Sequence, residues 1–306
     1  MYIVKNRQFF FWLSGILVVS ALVSIAIFGF RFGIEFTGGS ILEVTYPEGR
    51  PELSLMQEKL ATLNWPGTQV QAAGENGYII RTKSLSERER QQLVTTAAEV
   101  TAGKMEQQRF DSIGPTIGAE LRQKAWIAIG LVIFAIVLYV AFAFRHVSYP
   151  VSSWGYGLVT IVALAHDVII PTGIYVAMGH FFLDARIDVL FVIAILTVLG
   201  FSVHDTIVVF DRTRENLKLR TWKNFDETVG HSIEQTFTRS INTSLTTLFV
   251  VVALYVFGPE STRWFAFTLG VGIVVGAYSS IFLGSPLLVS IDEWQRKREE
   301  SRRKRG

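Results

Sequence analysis

Six apolar runs, each of bilayer-spanning length, leave this chain one class of fold, a polytopic bundle of α-helices crossing a membrane. They lie near Gln8 to Phe30, Ala125 to Phe144, Trp154 to Met178, Val189 to Phe210, Ile241 to Phe257 and Phe265 to Ile291. Hydrocarbon offers backbone N–H and C=O groups no partners, so each run must satisfy them internally, as a helix. Charged residues crowd into a few intervals while 50% of the chain is hydrophobic, which excludes a water-soluble enzyme built on one large core. Absence of cysteine removes disulfides, thiolate metal sites and cysteine nucleophiles. The first run is too long for the apolar core of a signal peptide and no small-x-small cleavage pattern follows it, so it reads as a retained helix. Trp12, Trp126, Trp154, Trp264 and Trp294 fall near run ends, where interfacial aromatics sit.

Basic residues orient the bundle. Lys5, Arg7, Arg145, Arg212, Arg214, Lys218, Arg220, Lys223 and the tail from Arg296 to Arg305 flank one side, while short loops on the other carry Arg186 and Arg263. Both termini are therefore expected in the cytoplasm. A net charge of +3 is local basicity that serves topology in a lipid bilayer, with no nucleic acid implied as a partner. The long first loop then lies outside, as a domain of about 90 residues.

That loop alternates in type. A strand at Leu42 to Tyr46, a helix from Pro51, strands near Thr68 to Ala73 and Gly77 to Thr82, a helix from Ser86 and a weak strand near Met105 to Asp111 give the order βαββαβ. Leu53, Met56, Leu60 and Leu63 form one apolar helix face, and Ser86 with Glu89 makes a capping box ahead of Leu93, Val94, Ala97 and Val100. This order fits a small α+β, ferredoxin-like split βαβ sheet inserted between the first and second transmembrane helices. The expected organisation is thus residues 1–30 as N-terminus and first helix, and 31–123 as the outside domain. Residues 124–210 hold helices two to four, 211–240 an amphipathic connector, 241–291 helices five and six, and 292–306 a basic tail. In the connector Trp222, Phe225, Val229, Ile233 and Phe237 keep a helical spacing behind a cap at Asn224 and Glu227, as a helix lying on the membrane surface would.

Chemistry concentrates in two His–Asp pairs inside apolar runs, His166 with Asp167 and His204 with Asp205. An intramembrane carboxylate costs about 2.5 to 3.5 kcal/mol at a helix centre on insertion scales, so each needs a partner or a task. Asp205 lies seven residues before Arg212, roughly 10 Å into the membrane, and Arg239 starts from the same face, so an Asp205–Arg239 ion pair is feasible. A carboxylate beside an arginine keeps its charge, and one left dry without it takes up a proton, so separating the pair moves a proton. One elementary charge crossing about 100 mV supplies about 2.3 kcal/mol. The bland alternatives are an interhelical hydrogen bond or ion pair for Asp205 and a snorkelling end residue for Arg239.

Adjacent helical residues point about 100° apart, so His166 and Asp167 are not expected to face one neighbour together. One of them serves packing, with a hydrogen bond to a carbonyl expected for His166. Asp211 and Arg212 read as a helix-end ion pair. Gly155, Gly157, Gly200, Gly270, Gly272 and Gly276 suit close helix contact, and Gly38 with Gly39 suit backbone angles closed to other residues, or simply a turn.

Five strings in order then point to a family: IEFTGGS, IGPTIGAEL, ALAHDVII, GFSVHDTIVVFDRTREN and QTFTRSINTSLTTL. Together they resemble the SecF subunits of bacterial protein export, within the resistance-nodulation-division superfamily. The resemblance covers nearly the whole chain. It implies an inner-membrane subunit with six helices and a periplasmic ferredoxin-like domain, paired with SecD. Such a subunit uses the proton gradient to complete the passage of preproteins through the SecYEG channel, with protons as coupling ion and no cofactor or metal. By the same resemblance Asp205 and Arg239 match the family's essential membrane aspartate and arginine, and Asp167 a further membrane acid. Two positions depart from the family pattern, Glu35 where Asp is common, with the charge kept, and His204 where Asn is common, an imidazole that can donate, accept or titrate.

Three other readings stay open. Half of a proton-driven small-molecule exporter of the same superfamily would normally carry twelve spans and larger outside domains. An intramembrane metalloprotease would need metal-ligand spacing, and no HExxH pattern occurs. A pure assembly scaffold would tolerate a neutral residue at Asp205.

Overall fold

The computed structural model describes residues 1–101, 103–145, 150–182, 185–220 and 222–303. Thr221 of the expected connector and Lys304 and Arg305 of the tail lie outside the described residues. In chain order the elements are α1 (Tyr2–Lys5), α2 (Arg7–Phe28), α3 (Ile34–Thr37), β1 (Gly39–Thr45), α4 (Leu53–Ala61), β2 (Gln69–Ala73), β3 (Gly77–Thr82), α5 (Glu87–Glu99) and β4 (Glu106–Ile113). There follow α6 (Pro115–Ala143), α7 (Ser153–Phe181), α8 (Val189–Leu219), α9 (Phe225–Phe257), α10 (Arg263–Ser279) and α11 (Ser285–Arg303). A π turn, Ser280–Gly284, joins α10 to α11, and with these two counted as one, six helices among the described residues are long and apolar enough to cross a membrane.

Two compact units divide the chain, Arg31–Ile127 with Arg186–Val189, and Met1–Phe30 with Ala128–Ala185 and Leu190–Gly306. In the first, four antiparallel strands stand in the order β2-β3-β1-β4, with the helices α4 and α5 between strands in sequence. Alternation along β1 sends Leu42 and Val44 to one side, where Tyr46, Tyr78, Ile80, Met56, Leu60, Leu93 and Ala97 complete a buried core. Burying an aliphatic or aromatic side chain of this size contributes about 1.5 to 3 kcal/mol.

The capping box forms as expected, Ser86 Oγ accepting from the Glu89 N–H and the Glu89 carboxylate from the Ser86 N–H (2.8 Å). The Lys83 ammonium, and then Ser86, hold the Glu89 carboxyl far below the usual range, at about 2. Burial first, and Tyr78 second, push the Tyr46 phenol well above its ordinary value. One expected core residue departs: α4 begins at Leu53 rather than Pro51, and Leu53, as the first helical residue, stays 42% exposed.

The link between α7 and α8 also joins this unit, which its length and composition did not announce. The Ile187 N–H donates to the Arg31 carbonyl (2.8 Å), the Gly33 N–H donates to the Ile187 carbonyl (2.9 Å), and the Arg186 guanidinium donates to Gln69 Oε1 (2.9 Å). Gly38 and Gly39 have φ of +76° and +133°, in the region that favours glycine. Close approach adds a second reason, since a Cβ on Gly38 would lie 2.8 Å from Pro115 Cα and one on Gly39 2.9 Å from the Thr82 carbonyl oxygen.

In the helical unit α7, α8 and the α10–α11 rod are central. Of their most apolar stretches 56% is buried, against 11% for α2, 6% for α6 and 11% for α9. Small residues set the contacts: a Cβ on Gly173 of α7 would lie 2.5 Å from Ala21 Cα of α2, and one on Gly276 of α10 would lie 3.1 Å from Ser202 Cβ of α8. Gly272 likewise sits against Val198, whereas Gly200 faces open space and is no packing glycine. At the end of the bundle Arg7 pairs with Glu293 (2.6 Å), fastening the start of α2 to α11.

The expected surface connector is not a separate element. α8 runs on to Leu219 and α9 begins at Phe225, so the polar stretch extends two spanning helices, with a turn at Arg220 (φ +50°) and Asn224 at the N-cap position. Phe225, Val229 and Ile233 pack with Phe144, Val209 and Phe210 in the bundle core rather than on lipid. Asn216 donates to Ser232 Oγ (2.8 Å) and Gln235 Oε1 (3.0 Å), tying the two extensions together. α6 similarly starts at Pro115, ahead of the apolar run, with proline at the first helical position where its missing N–H costs nothing.

Candidate functional site

Helical spacing places Ser202, Asp205, Thr206 and Val209 on one buried face of α8. Asp205 is 6% exposed, and its Oδ2 accepts a hydrogen bond from Ser244 Oγ of α9 (3.1 Å). Beside it lies a cavity of about 10 Å³, the size one water needs, lined by Ser202, Asp205, Thr243, Ser244 and Gly276 among others. His204, about 100° round the helix, points outward and is exposed.

Arg239 is also exposed. It lies within electrostatic reach of Asp205, yet among the described residues the expected ion pair within 4.0 Å is not formed. The reason is rotational. Five residues separate Arg239 from Ser244, roughly 140° around α9, so the rotation that aims Ser244 at Asp205 turns Arg239 elsewhere.

The second pair is closed. Asp167 is 0% and His166 3% exposed, and His166 Nδ1 meets Asp167 Oδ1 at 2.8 Å. Ser279 Oγ of α10 donates to Asp167 Oδ2 (2.7 Å), and Ser202 Oγ of α8 donates to the same oxygen. This corrects the expectation that one member would serve packing alone and that His166 would bond a main-chain carbonyl. The two side chains meet on the buried face of α7, where the carboxylate is the imidazole's partner. His166 Nε2 is buried without a protein partner, and the ring stacks on Tyr278 (6.0 Å between centroids, 23°).

Just beyond, Ser280 Oγ lies 3.0 Å from Thr206 Oγ1 and donates to the Gly276 carbonyl (2.8 Å). These hydroxyls stand where the helix widens into the π turn, a geometry frequent at functional sites. Ser202, Ser244, Ser279 and Ser280 escaped the sequence reading. Ser202 carried a signal, since it precedes Asp205 by three residues on one helix face.

The remaining sequence candidates lie apart from these centres. Asp211 and Arg212 do not pair with each other; Asp211 bonds Arg214 (2.5 Å) and Arg212 bonds Glu215 (2.6 Å), each at i,i+3, where helical neighbours meet. Glu35 is half-buried in α3, ahead of Gly38 and Gly39. Among the described residues no three His, Asp or Glu side chains gather to hold a metal ion.

Residues 93–294 match the family model described as "Protein export membrane protein SecD/SecF, C-terminal". The chain belongs to the SecD/SecF family. A second model, "SecD/SecF GG Motif", matches residues 23–46, which contain Gly38 and Gly39. Among similar family members, "Protein translocase subunit SecF" of Thermobaculum terrenum is 39% identical over 306 residues, covering 96% of this chain and 94% of that protein. "Protein translocase subunit SecDF" of Thermus thermophilus is 37% identical over 293 residues, covering 92% of this chain and 37% of that one. A crystal structure of SecDF from Thermus thermophilus, titled a translocon-associated membrane protein, superposes with a TM-score of 0.80 at 31% identity, over 96% of this chain and 39% of that one. The chain thus spans 39% of the length of that fused SecDF protein. Family membership and six apolar helices fit a multi-pass inner-membrane protein.

Proposed function

We propose that this chain is the SecF-type auxiliary subunit of the Sec translocase, and that it works with a SecD partner to couple proton movement to late steps of preprotein export through the SecYEG channel. Relatives that carry both names in one chain support the SecD partnership. Asp205 carries the proton reading. It is a buried carboxylate with one neutral donor among the described residues and a water-sized cavity, and its potential counter-charge, Arg239, is turned away. An ionised carboxylate so placed is costly, and rotation of α9 that brings Arg239 in, or a proton that takes the charge away, relieves it by different routes. Alternation between the two moves one proton per cycle and needs no cofactor beyond the proton itself.

In this reading both termini are cytoplasmic and the four-stranded unit, whose strand order is that of a ferredoxin-like split βαβ sheet, is periplasmic and handles the emerging preprotein. Vesicles holding SecD, the channel and either wild type or Asp205→Asn test it. Gradient-driven completion of translocation is expected to fail in the variant, and equal completion in both would overturn the proton role.

A further inference from the structure

We infer that Ser202 joins the two buried carboxylates into one proton path, in which a proton on Asp205 passes through a single water and the Ser202 hydroxyl to Asp167. The inference rests on the proposed proton passage at Asp205 and adds an inner station to it. Ser202 does two things at once: its Oγ donates to Asp167 Oδ2, and the same residue lines the cavity beside Asp205. That cavity has room for about one water, and the water would have Asp205 and the hydroxyl-bearing residues Ser202, Ser244 and Thr243 around it. Gly276 keeps the space open, since a methyl there would press to 3.1 Å from Ser202 Cβ.

The transfer balances. Asp205 as carboxylic acid releases its proton to the water, the water passes one to Ser202 Oγ, and Ser202 passes its own to Asp167 Oδ2. Asp205 ends as carboxylate and Asp167 as carboxylic acid, with water and serine unchanged. Among the described residues the titratable and charged groups around this path are few. At Asp205 they are His204 and Arg239, and at Asp167 they are His166 and, stacked on its ring, Tyr278. Tyr278 is engaged with Ser14 (3.2 Å) and the Phe10 carbonyl (3.1 Å). His166, bonded to Asp167 through Nδ1 and with Nε2 buried and unpartnered, is the group able to share the arriving charge. A polar anchor between helices needs the hydrogen bonds to Asp167 and has no use for a water-sized space ending on the same serine.

Ser279 supplies the control, because it donates to the same Asp167 oxygen from α10 without lining the cavity. The full chain, reconstituted with SecD in lipid vesicles, is subjected to an acid jump and followed by time-resolved infrared difference spectroscopy. The carboxylic acid bands are assigned by Asp205→Asn and Asp167→Asn. In wild type the Asp167 band is expected to rise after the Asp205 band. Ser202→Ala should slow that second rise at least about tenfold while leaving the Asp205 band intact. Ser279→Ala should keep the transfer, and Gly276→Ala, which crowds the water, should slow it.

Wild-type kinetics in Ser202→Ala would overturn the inference and leave proton passage at Asp205 standing. Equal slowing in Ser202→Ala and Ser279→Ala would reduce Ser202 to a structural anchor. Absence of an Asp205 band in wild type would overturn both this path and the proposed function beneath it.

Discussion

In α7 the His–Asp pair is closed on itself, with both side chains buried and the carboxylate accepting from two further helices. The identical dipeptide in α8 is split, its histidine outside and its aspartate inside with one hydroxyl and a cavity for company. Sequence adjacency is the same in both; what differs is how each helix is covered. Ser202 of α8 and Ser279 of α10 cover Asp167 and Tyr278 of α10 covers the His166 ring, whereas α8 leaves the His204 side open. Asp167, met by three side chains, ties its helix to two others as well as standing next on the path, whereas Asp205 has one hydroxyl and open space beside it.

Experiments on the two pairs can break that contrast. The largest effect is expected for Asp205→Asn, with gradient-driven translocation reduced by at least about tenfold while the folded fraction of protein in detergent is unchanged. Asp167→Ala should weaken translocation too and, unlike Asp205→Asn, should also destabilise the fold. It leaves the Ser202 and Ser279 hydroxyls and the His166 ring without their shared acceptor, and should lower unfolding stability by about 1 to 3 kcal/mol in a denaturant titration in micelles. Equal losses of stability for Asp167→Ala and Asp205→Ala would erase the distinction between the two pairs.

Ser86→Ala offers a yardstick from the sheet unit, where a lost helix cap should cost about 1 kcal/mol. There pH also has a clear sign. The Glu89 carboxyl titrates at about 2 when folded, below its ordinary unfolded value of about 4.3, so its contribution is complete above that value and is lost as pH falls through 2. Glu89→Gln should flatten acid unfolding in that window, as seen by circular dichroism. His204→Asn should have the smallest effect, with activity retained and the pH optimum moved; an unchanged pH profile would show that the exposed imidazole takes no part in the cycle.

Legibility in the sequence followed the solvent each segment meets. In the sheet unit, strand alternation, the Ser86–Glu89 box and the βαββαβ order were readable because water on one face and core on the other impose a strict pattern. Within the bundle the spans were readable from hydropathy, but lipid and protein interior are both apolar, so the pattern does not say which face is buried. The connector misled for that reason. Phe225, Val229 and Ile233 form an apolar stripe that a membrane surface or a bundle core would accept equally, and the core has it.

The candidate aspartates were visible as expensive residues, whereas their serine partners were not, since a hydroxyl inside a span ordinarily bonds its own helix. Ser279 does so too, to the Gly276 carbonyl (3.1 Å), while also reaching Asp167. The Asp205–Arg239 pairing required knowing the rotation of α9, which spacing alone does not fix.

The π turn at Ser280–Gly284 makes the last transmembrane rod a geared part. A π turn holds one residue more than the α turn it replaces, so relaxing it would swing everything beyond it by roughly 100° and advance it by about 1.5 Å. Ser279 and Ser280 sit at one end of that gear, against Asp167 and Thr206, and Glu293 sits on the other side of it, held by Arg7. Such a swing would have to carry Glu293 away from Arg7, so the two ends of the rod cannot be reset independently.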